Sequence, residues 1–237
     1  MIATYQFLSE LRDNNRREWF AEHKAQYDML RSRWLDQLQH LIDLMSQYDD
    51  TLHGVKAADC AYRIYRDIRF SHDKTPYKTF FSAVIGKGGR KCTKACYYVH
   101  FEPGNSGIFA GLWCPTPDVL RRTRSLIDAD GNELQAIITS PDFASRFSFT
   151  PFQSLKKAPA GYSPDHPLIN LLRAKDYTFS HRCPDSYFTE GNWIEKAAAD
   201  LKTAKPALDF STTSSNSTVP TAKQGYYHAQ LEHYGTN

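Results

Sequence analysis

The positions Trp19, His23, Tyr27, Leu30, Trp34, Leu38, Leu41 and Met45 recur every three or four residues. That spacing puts them on one continuous helical face. Asn15 and Glu18, three residues apart, form a capping-box pattern at its start, so the spacing predicts a helix over Asn15 to Tyr48. A face this long and this aromatic needs a broad surface to lie against, and a sheet provides one. From Tyr62 the apolar period changes to two. Tyr62, Ile64, Ile68 and Phe70 alternate with Arg63, Tyr65, Asp67 and Arg69, which predicts a strand with unlike faces. Only Arg66 falls on the wrong side. Phe80 to Ile85, Tyr97 to Glu102 and Ile108 to Trp113 read as further strands. A basic glycine loop, Gly86 to Lys91, and the turn Pro103-Gly104-Asn105 join them, and such short connections imply antiparallel pairing. The predicted fold is α+β, a mainly antiparallel sheet packed against a long N-terminal helix and further helices. The aromatic stripe then reads as core, not as a cofactor site.

Phe7, Leu8 and Leu11 predict a short first helix. Thr116-Pro117-Asp118 combines a cap, a proline at the first helical position and an acid at the positive end of the dipole. Helices are predicted from Val119 to Ala129 and, after Gly131, from Asn132 to Ser140. Asp165-His166-Pro167 opens a short helix through Ala174, and Tyr177 to Ser180 reads as a fifth strand. Trp193, Ala197, Leu201 and Ala204 mark a last helix, expected to stop near Pro206. From Ser211 a polar Ser/Thr run begins that cannot bury enough surface to offset ordering entropy. The expected organisation is one α+β domain over residues 1–210 and a disordered tail over 211–237, whose large aromatics are Tyr226, Tyr227 and Tyr234.

No apolar run approaches the ~20 residues of a membrane span, and the N-terminal residues lack the basic-then-apolar pattern of a secretory leader. The five cysteines, odd in number and scattered, fit reduced thiols. The expectation is a cytoplasmic protein without a membrane partner. Charge is unevenly placed. Tyr62 to Lys94 carries nine basic and two acidic residues, a net +7 in a chain of net +3, so the remainder carries −4. A concentration of positive charge points to an anionic partner.

Five segments carry a family resemblance. They are Asn14-Asn15-Arg16-Arg17-Glu18-Trp19-Phe20, the stretch from Arg63 to Lys78, Tyr97-Tyr98-Val99-His100-Phe101-Glu102-Pro103, Gly111-Leu112-Trp113 and Leu155-Lys156-Lys157-Ala158-Pro159. In this order the chain resembles the domain-of-unknown-function family 2461 from Tyr5 to about Phe210. The resemblance implies one domain and supplies no mechanism.

Strand alternation would place Arg63, Asp67 and Arg69 on one face, and Tyr98, His100 and Glu102 on a face of a neighbouring strand. Lys74, Tyr77 and Lys78 would stand at the rim. Guanidinium groups grip phosphate or carboxylate at two points, and lysine adds a point charge. Arg63, Arg69, Lys74, Tyr77 and Lys78 are therefore the candidate ligand-binding residues. Asp67, His100 and Glu102 are candidates for orienting an arginine or moving a proton. The competing reading is a structural ion-pair lattice with no ligand. The expected function is that of an enzyme or sensor for a small anionic molecule, with a nucleic-acid interface along Tyr62 to Lys94 as the alternative. His100-Phe101-Glu102 matches half of a zinc-deaminase signature, but the cysteine half is missing. Cys92 and Cys96 are a loose pair without companion ligands, so no metal and no cofactor is expected.

Overall fold

The computed structural model describes residues 1–69 and 71–213. Its helices are α1 (Ile2–Asp13), α2 (Arg17–Glu22), α3 (Lys24–Met45), α4 (Ala57–Cys60), α5 (Pro117–Thr139), α6 (Pro141–Ala144), α7 (Ile169–Arg173), α8 (Asp185–Thr189) and α9 (Trp193–Thr213). The strands are β1 (Phe81–Ile85), β2 (Cys96–Phe101), β3 (Ser106–Leu112), β4 (Ser148–Phe149) and β5 (Tyr177–Cys183). They form one five-stranded antiparallel sheet in the order β1-β2-β3-β5-β4. The predicted α+β class is the one observed.

By contact density the chain forms two compact units. The first holds Met1–Arg90, Tyr98–Ile108 and Arg182–Ala199. Its core joins the predicted helical stripe to the sheet. Trp34 lies 6.1 Å from Phe81, 6.2 Å from Phe101 and 6.4 Å from Trp193, while Tyr5 stacks on Phe101 at 4.1 Å. Phe7, Leu8, Leu11, Leu38 and Leu41 are fully buried around them, each worth about 1.5–3 kcal/mol of transfer free energy. The second unit holds Lys91–Tyr97, Phe109–His181 and the described residues from Asp200. There Phe143 meets Phe179 edge-on at 5.6 Å, and Arg124 caps α7 through the Leu172 and Ala174 carbonyls at 2.8 and 3.1 Å.

The predicted Asn15–Tyr48 helix is two helices. The backbone N–H and ring Nδ1 of His23 both reach the Trp19 carbonyl, at 3.1 and 2.8 Å, which closes α2 before α3 begins. Asn15 does not cap either helix. Its side chain clamps the backbone of Tyr77, donating to the carbonyl at 2.9 Å and accepting from the N–H at 3.1 Å. Asn15→Ala is expected to cost about 2 kcal/mol, because both Tyr77 groups lose their partner in a part-buried place. A denaturant midpoint unchanged from wild type would contradict this role.

The predicted strand from Tyr62 is not a strand. The chain makes only isolated bridges there, Ala61 to Ala83 and Tyr65 to Tyr77. Three residues lie between Ala61 and Tyr65 on one side, and five lie between their partners Tyr77 and Ala83 on the other. The two extra residues between Tyr77 and Ala83 bulge the ladder and break its pairing. The bonds that survive are Tyr62 N–H to Ser82 O, Lys78 N–H to Ile64 O and Arg66 N–H to Pro76 O, at 2.7 to 2.9 Å.

Two helices run further than predicted. Gly131 lies inside a continuous α5 and does not divide it. A Cβ there would approach Leu168 Cδ1 to 2.6 Å and Ile127 Cγ2 to 2.9 Å, so glycine serves close packing at this position. The α9 helix passes through Pro206 to Thr213. Proline in a helix costs ~3 kcal/mol, and Ala207, Leu208 and Phe210, buried beyond it, offset that. Ser211 to Thr213 of the predicted tail thus close α9, while residues 214–237 lie outside the described residues. No described helix is long and apolar enough to cross a membrane.

Candidate functional site

The basic stretch folds as a clipped loop. Arg66 Nη1 reaches the carboxylate of Asp73 and the hydroxyl of Thr75, and lies 3.3 Å from the Thr75 carbonyl. Asp73 in turn accepts from the backbone N–H of Thr75 at 2.9 Å. That backbone bond, then Arg66 and the Thr75 hydroxyl, draw its pKa down to about 2. Arg66, which breaks the alternation in sequence, is the residue that closes the loop. The signal for it was Asp73-Lys74-Thr75, in which an aspartate binds the backbone two residues on.

Within the clip, Arg69 grips Asp67 at two points, Nε to Oδ1 at 2.9 Å and Nη2 to Oδ2 at 2.7 Å. Asp67 is held at a pKa of about 2, chiefly by the Arg69 hydrogen bonds, with the charge of Arg63 acting in the same direction. Lys74 Nζ donates to the Ile68 carbonyl at 3.0 Å. Arg63, Arg69 and Lys74 are all exposed. Arg63 makes no hydrogen bond or ion pair to the other described residues. The loop from Arg63 to Lys74 therefore carries four cations against two carboxylates, in a backbone closed at both ends.

Tyr77 and Lys78, expected at the rim, are interior. Tyr77 stacks on Phe20 at 4.0 Å and is 6% exposed. Lys78 is also 6% exposed, with its ammonium 5.1 Å from the Tyr62 ring and 5.7 Å from the Phe80 ring. Aromatic faces attract such a cation.

The alternation of β2 does put Tyr98, His100 and Glu102 together. The Tyr98 hydroxyl lies 3.1 Å from His100 Nδ1, and His100 Nε2 lies 3.0 Å from Glu102 Oε2. An ionised carboxylate only accepts, so Nε2 carries a proton, and in the neutral ring Nδ1 accepts from Tyr98. Thr79 donates to Glu102 Oε1 at 3.1 Å and Asn105 donates to Oε2 at 2.8 Å. Arg182 donates to Asn105 at 2.6 Å. Ser106 ties the turn by donating to the Glu102 carbonyl at 2.7 Å and accepting from its N–H at 3.0 Å. The Tyr5 hydroxyl lies 2.8 Å from the Ser106 hydroxyl. Burial alone would raise the Glu102 pKa. Its bonds from His100, Asn105 and Thr79 outweigh that and hold it below the ordinary 4.5. Sequence alternation located Tyr98, His100 and Glu102, but Tyr5, Thr79 and Arg182 come from distant segments that no local pattern links.

His100 is 1% exposed, covered by the Phe80 ring at 4.5 Å, with both ring nitrogens engaged. The His100 ring is closed off and satisfied within this network, while the Glu102 side chain keeps 19% exposure. Among the described residues no group of three or more His, Cys, Asp or Glu is placed to hold a metal ion.

An α+β protein with an exposed, clipped cationic loop and a buried polar network is the class that fold and geometry define. The chain belongs to the family described as Conserved hypothetical protein (DUF2461), whose sequence pattern matches residues 3–210. Comparison with curated proteins and with solved structures gave no match.

Proposed function

We propose that the loop from Arg63 to Lys74 binds a small anionic molecule through phosphate or carboxylate groups, and that the protein acts as a binder or sensor of that molecule. One observation carries this reading. Arg69 grips the Asp67 carboxylate at two points, while Arg63, four residues before Asp67, is exposed and makes no bond to the other described residues. The carboxylate orients one guanidinium and leaves the other's charge uncompensated. The Arg66–Asp73 clip fixes the loop before a ligand arrives, which lowers the ordering cost of binding. His100 has a structural part in this reading, since the geometry that satisfies its ring also closes it off, and Glu102 is held by the same network.

A second reading, a nucleic-acid interface, draws on Tyr65, which is 43% exposed beside Arg63 and Arg66. An exposed aromatic among cations is a stacking platform for a base.

Thermal melts separate the readings. An anion at ten times its Kd contributes about 1.4 kcal/mol, which for a chain of this size raises the melting temperature by roughly 3–6 °C. Phosphate, pyrophosphate, citrate and a nucleotide panel are the ligands to test. Arg63→Ala is expected to melt like wild type without ligand and to lose the response. Tight, steeply salt-dependent binding of a single-stranded oligonucleotide, with no response to small anions, would favour the second reading. No response to either, together with destabilised arginine variants, would leave a structural lattice.

A further inference from the structure

One aromatic ring stands exposed in the same row as the loop's charges. Exposure alternates along this segment: Arg63, Tyr65, Asp67 and Arg69 are exposed, Tyr62 and Ile64 are buried, and Arg66 and Ile68 are half-buried. The backbone around Tyr65 is extended. Tyr65 bridges Tyr77 antiparallel, with Lys78 N–H on the Ile64 carbonyl at 2.7 Å and Arg66 N–H on the Pro76 carbonyl at 2.9 Å. In such a backbone residues two apart share a side, their Cα atoms about 7 Å apart. Arg63 and Tyr65 therefore face solvent together.

Two buried rings hold the Tyr65 ring. Phe20 meets it edge-on at 5.8 Å, Tyr77 lies tilted to it at 5.4 Å, and those two stack on each other at 4.0 Å. Phe20 and Tyr77 are 2% and 6% exposed, whereas Tyr65 keeps 43%. A solvent-facing tyrosine fixed in this way has little rotamer freedom to lose when a planar group stacks on it.

We propose that the anion bound by the loop from Arg63 to Lys74 is a mononucleotide, with its phosphate on Arg63 and Arg69 and its base stacked on Tyr65. The inference rests on the anion reading above and adds the group that the phosphate is attached to. A guanidinium grips a phosphate at two points, and an exposed ring two residues along offers a base its π-face. The separation of Arg63 from Tyr65 is the scale on which one ribose holds a phosphate from its base. A single base suits the surface better than a strand does. Grooves that track a strand set out successive stacking rings along a positive path. Between Tyr62 and Lys94, Tyr65 is the one exposed tyrosine or phenylalanine among the described residues, since Tyr62, Tyr77 and Phe81 are buried and Phe80 is half-buried.

Isothermal titration of the full chain at constant ionic strength, with pyrophosphate, ribose 5-phosphate and AMP, tests this. AMP should bind about tenfold or more tighter than ribose 5-phosphate, the gain from one stacked base. The adenine ring protons should move upfield on binding, as stacking on an aromatic face requires. Tyr65→Leu should remove that shift and bring AMP down to the affinity of ribose 5-phosphate, while Tyr65→Phe should keep both the shift and the preference. Should Tyr65→Leu fail to fold, the affinity ratio and the proton shifts of the wild type still decide. Equal binding of AMP and ribose 5-phosphate without upfield shifts would overturn the nucleotide and leave the anion site standing. Binding of none of the three ligands would overturn both. An oligoadenylate that binds far more tightly than AMP, with the gain spread over several nucleotides, would overturn the mononucleotide in favour of a strand.

Discussion

Gly111→Ala is expected to destabilise the protein by about 4 kcal/mol or more, the range reached when a buried backbone site is overfilled. Gly111 sits in β3 with φ +151°, and a Cβ there would lie 2.1 Å from the Tyr177 carbonyl oxygen, 3.0 Å from its carbon and 3.1 Å from Thr178 Cα. All three are backbone atoms of β5, so no rotamer change relieves the clash. Gly161 is the control. Its φ of +90° carries conformational strain too, but its Cβ position is open, so Gly161→Ala should cost only about 1–2 kcal/mol. Denaturant melts of the two variants check the difference. Similar small losses at both positions would contradict the close strand approach.

Glu102→Ala is expected to cost about 3 kcal/mol, because it strips partners from His100, Thr79 and Asn105 at once in a part-buried place. The pH dependence gives a sharper signature. A carboxylate whose pKa lies lower in the folded chain than in the unfolded one stabilises the fold above its unfolded pKa. That contribution is lost as pH falls through the folded value. The Glu102 contribution is thus fully present above about 4.5 and is lost as pH falls through its lower folded value. Glu102→Gln, which keeps the shape and one acceptor, should show a shallower loss of stability in acid than wild type. Urea midpoints measured from pH 7 down to pH 3 make the comparison. Parallel curves for the two proteins would show that Glu102 is not the charge the network holds.

The legible parts of this fold were those written in one segment at a time. The period of three to four along Trp19 to Met45 records the buried faces of α2 and α3, and the period of two in β2 records which side chains share a face. They locate the core and the Tyr98–His100–Glu102 row. The misreadings arose where a distant segment outbid a local preference. Asn15 had a capping pattern but bonds to Tyr77, 62 residues away. The alternation from Tyr62 fits a strand, yet the bulge between Tyr77 and Ala83 breaks the ladder it would join. Gly131 and Pro206 read as stops, but packing beyond each carries the helix on. At the candidate site, charge count singled out the segment from Tyr62 to Lys94. It could not show that Arg66 closes the loop or that Tyr77 and Lys78 turn inward, because both depend on the bulged pairing.

The central claim is that Arg63 and Arg69, set around Asp67, form an anion site, and a titration read at the arginines tests it most directly. Adding pyrophosphate to the ¹⁵N-labelled protein at constant ionic strength, and following the arginine Nε–H resonances, reports on each guanidinium separately. The site predicts saturable shifts at Arg63 and Arg69, sharing one Kd, with Arg90 unmoved because its guanidinium is occupied by the Ala58 and Ala61 carbonyls. Arg63→Ala should abolish the Arg69 response. Weak, non-saturating shifts spread alike over Arg63, Arg69 and Arg90, or none at all, would contradict it.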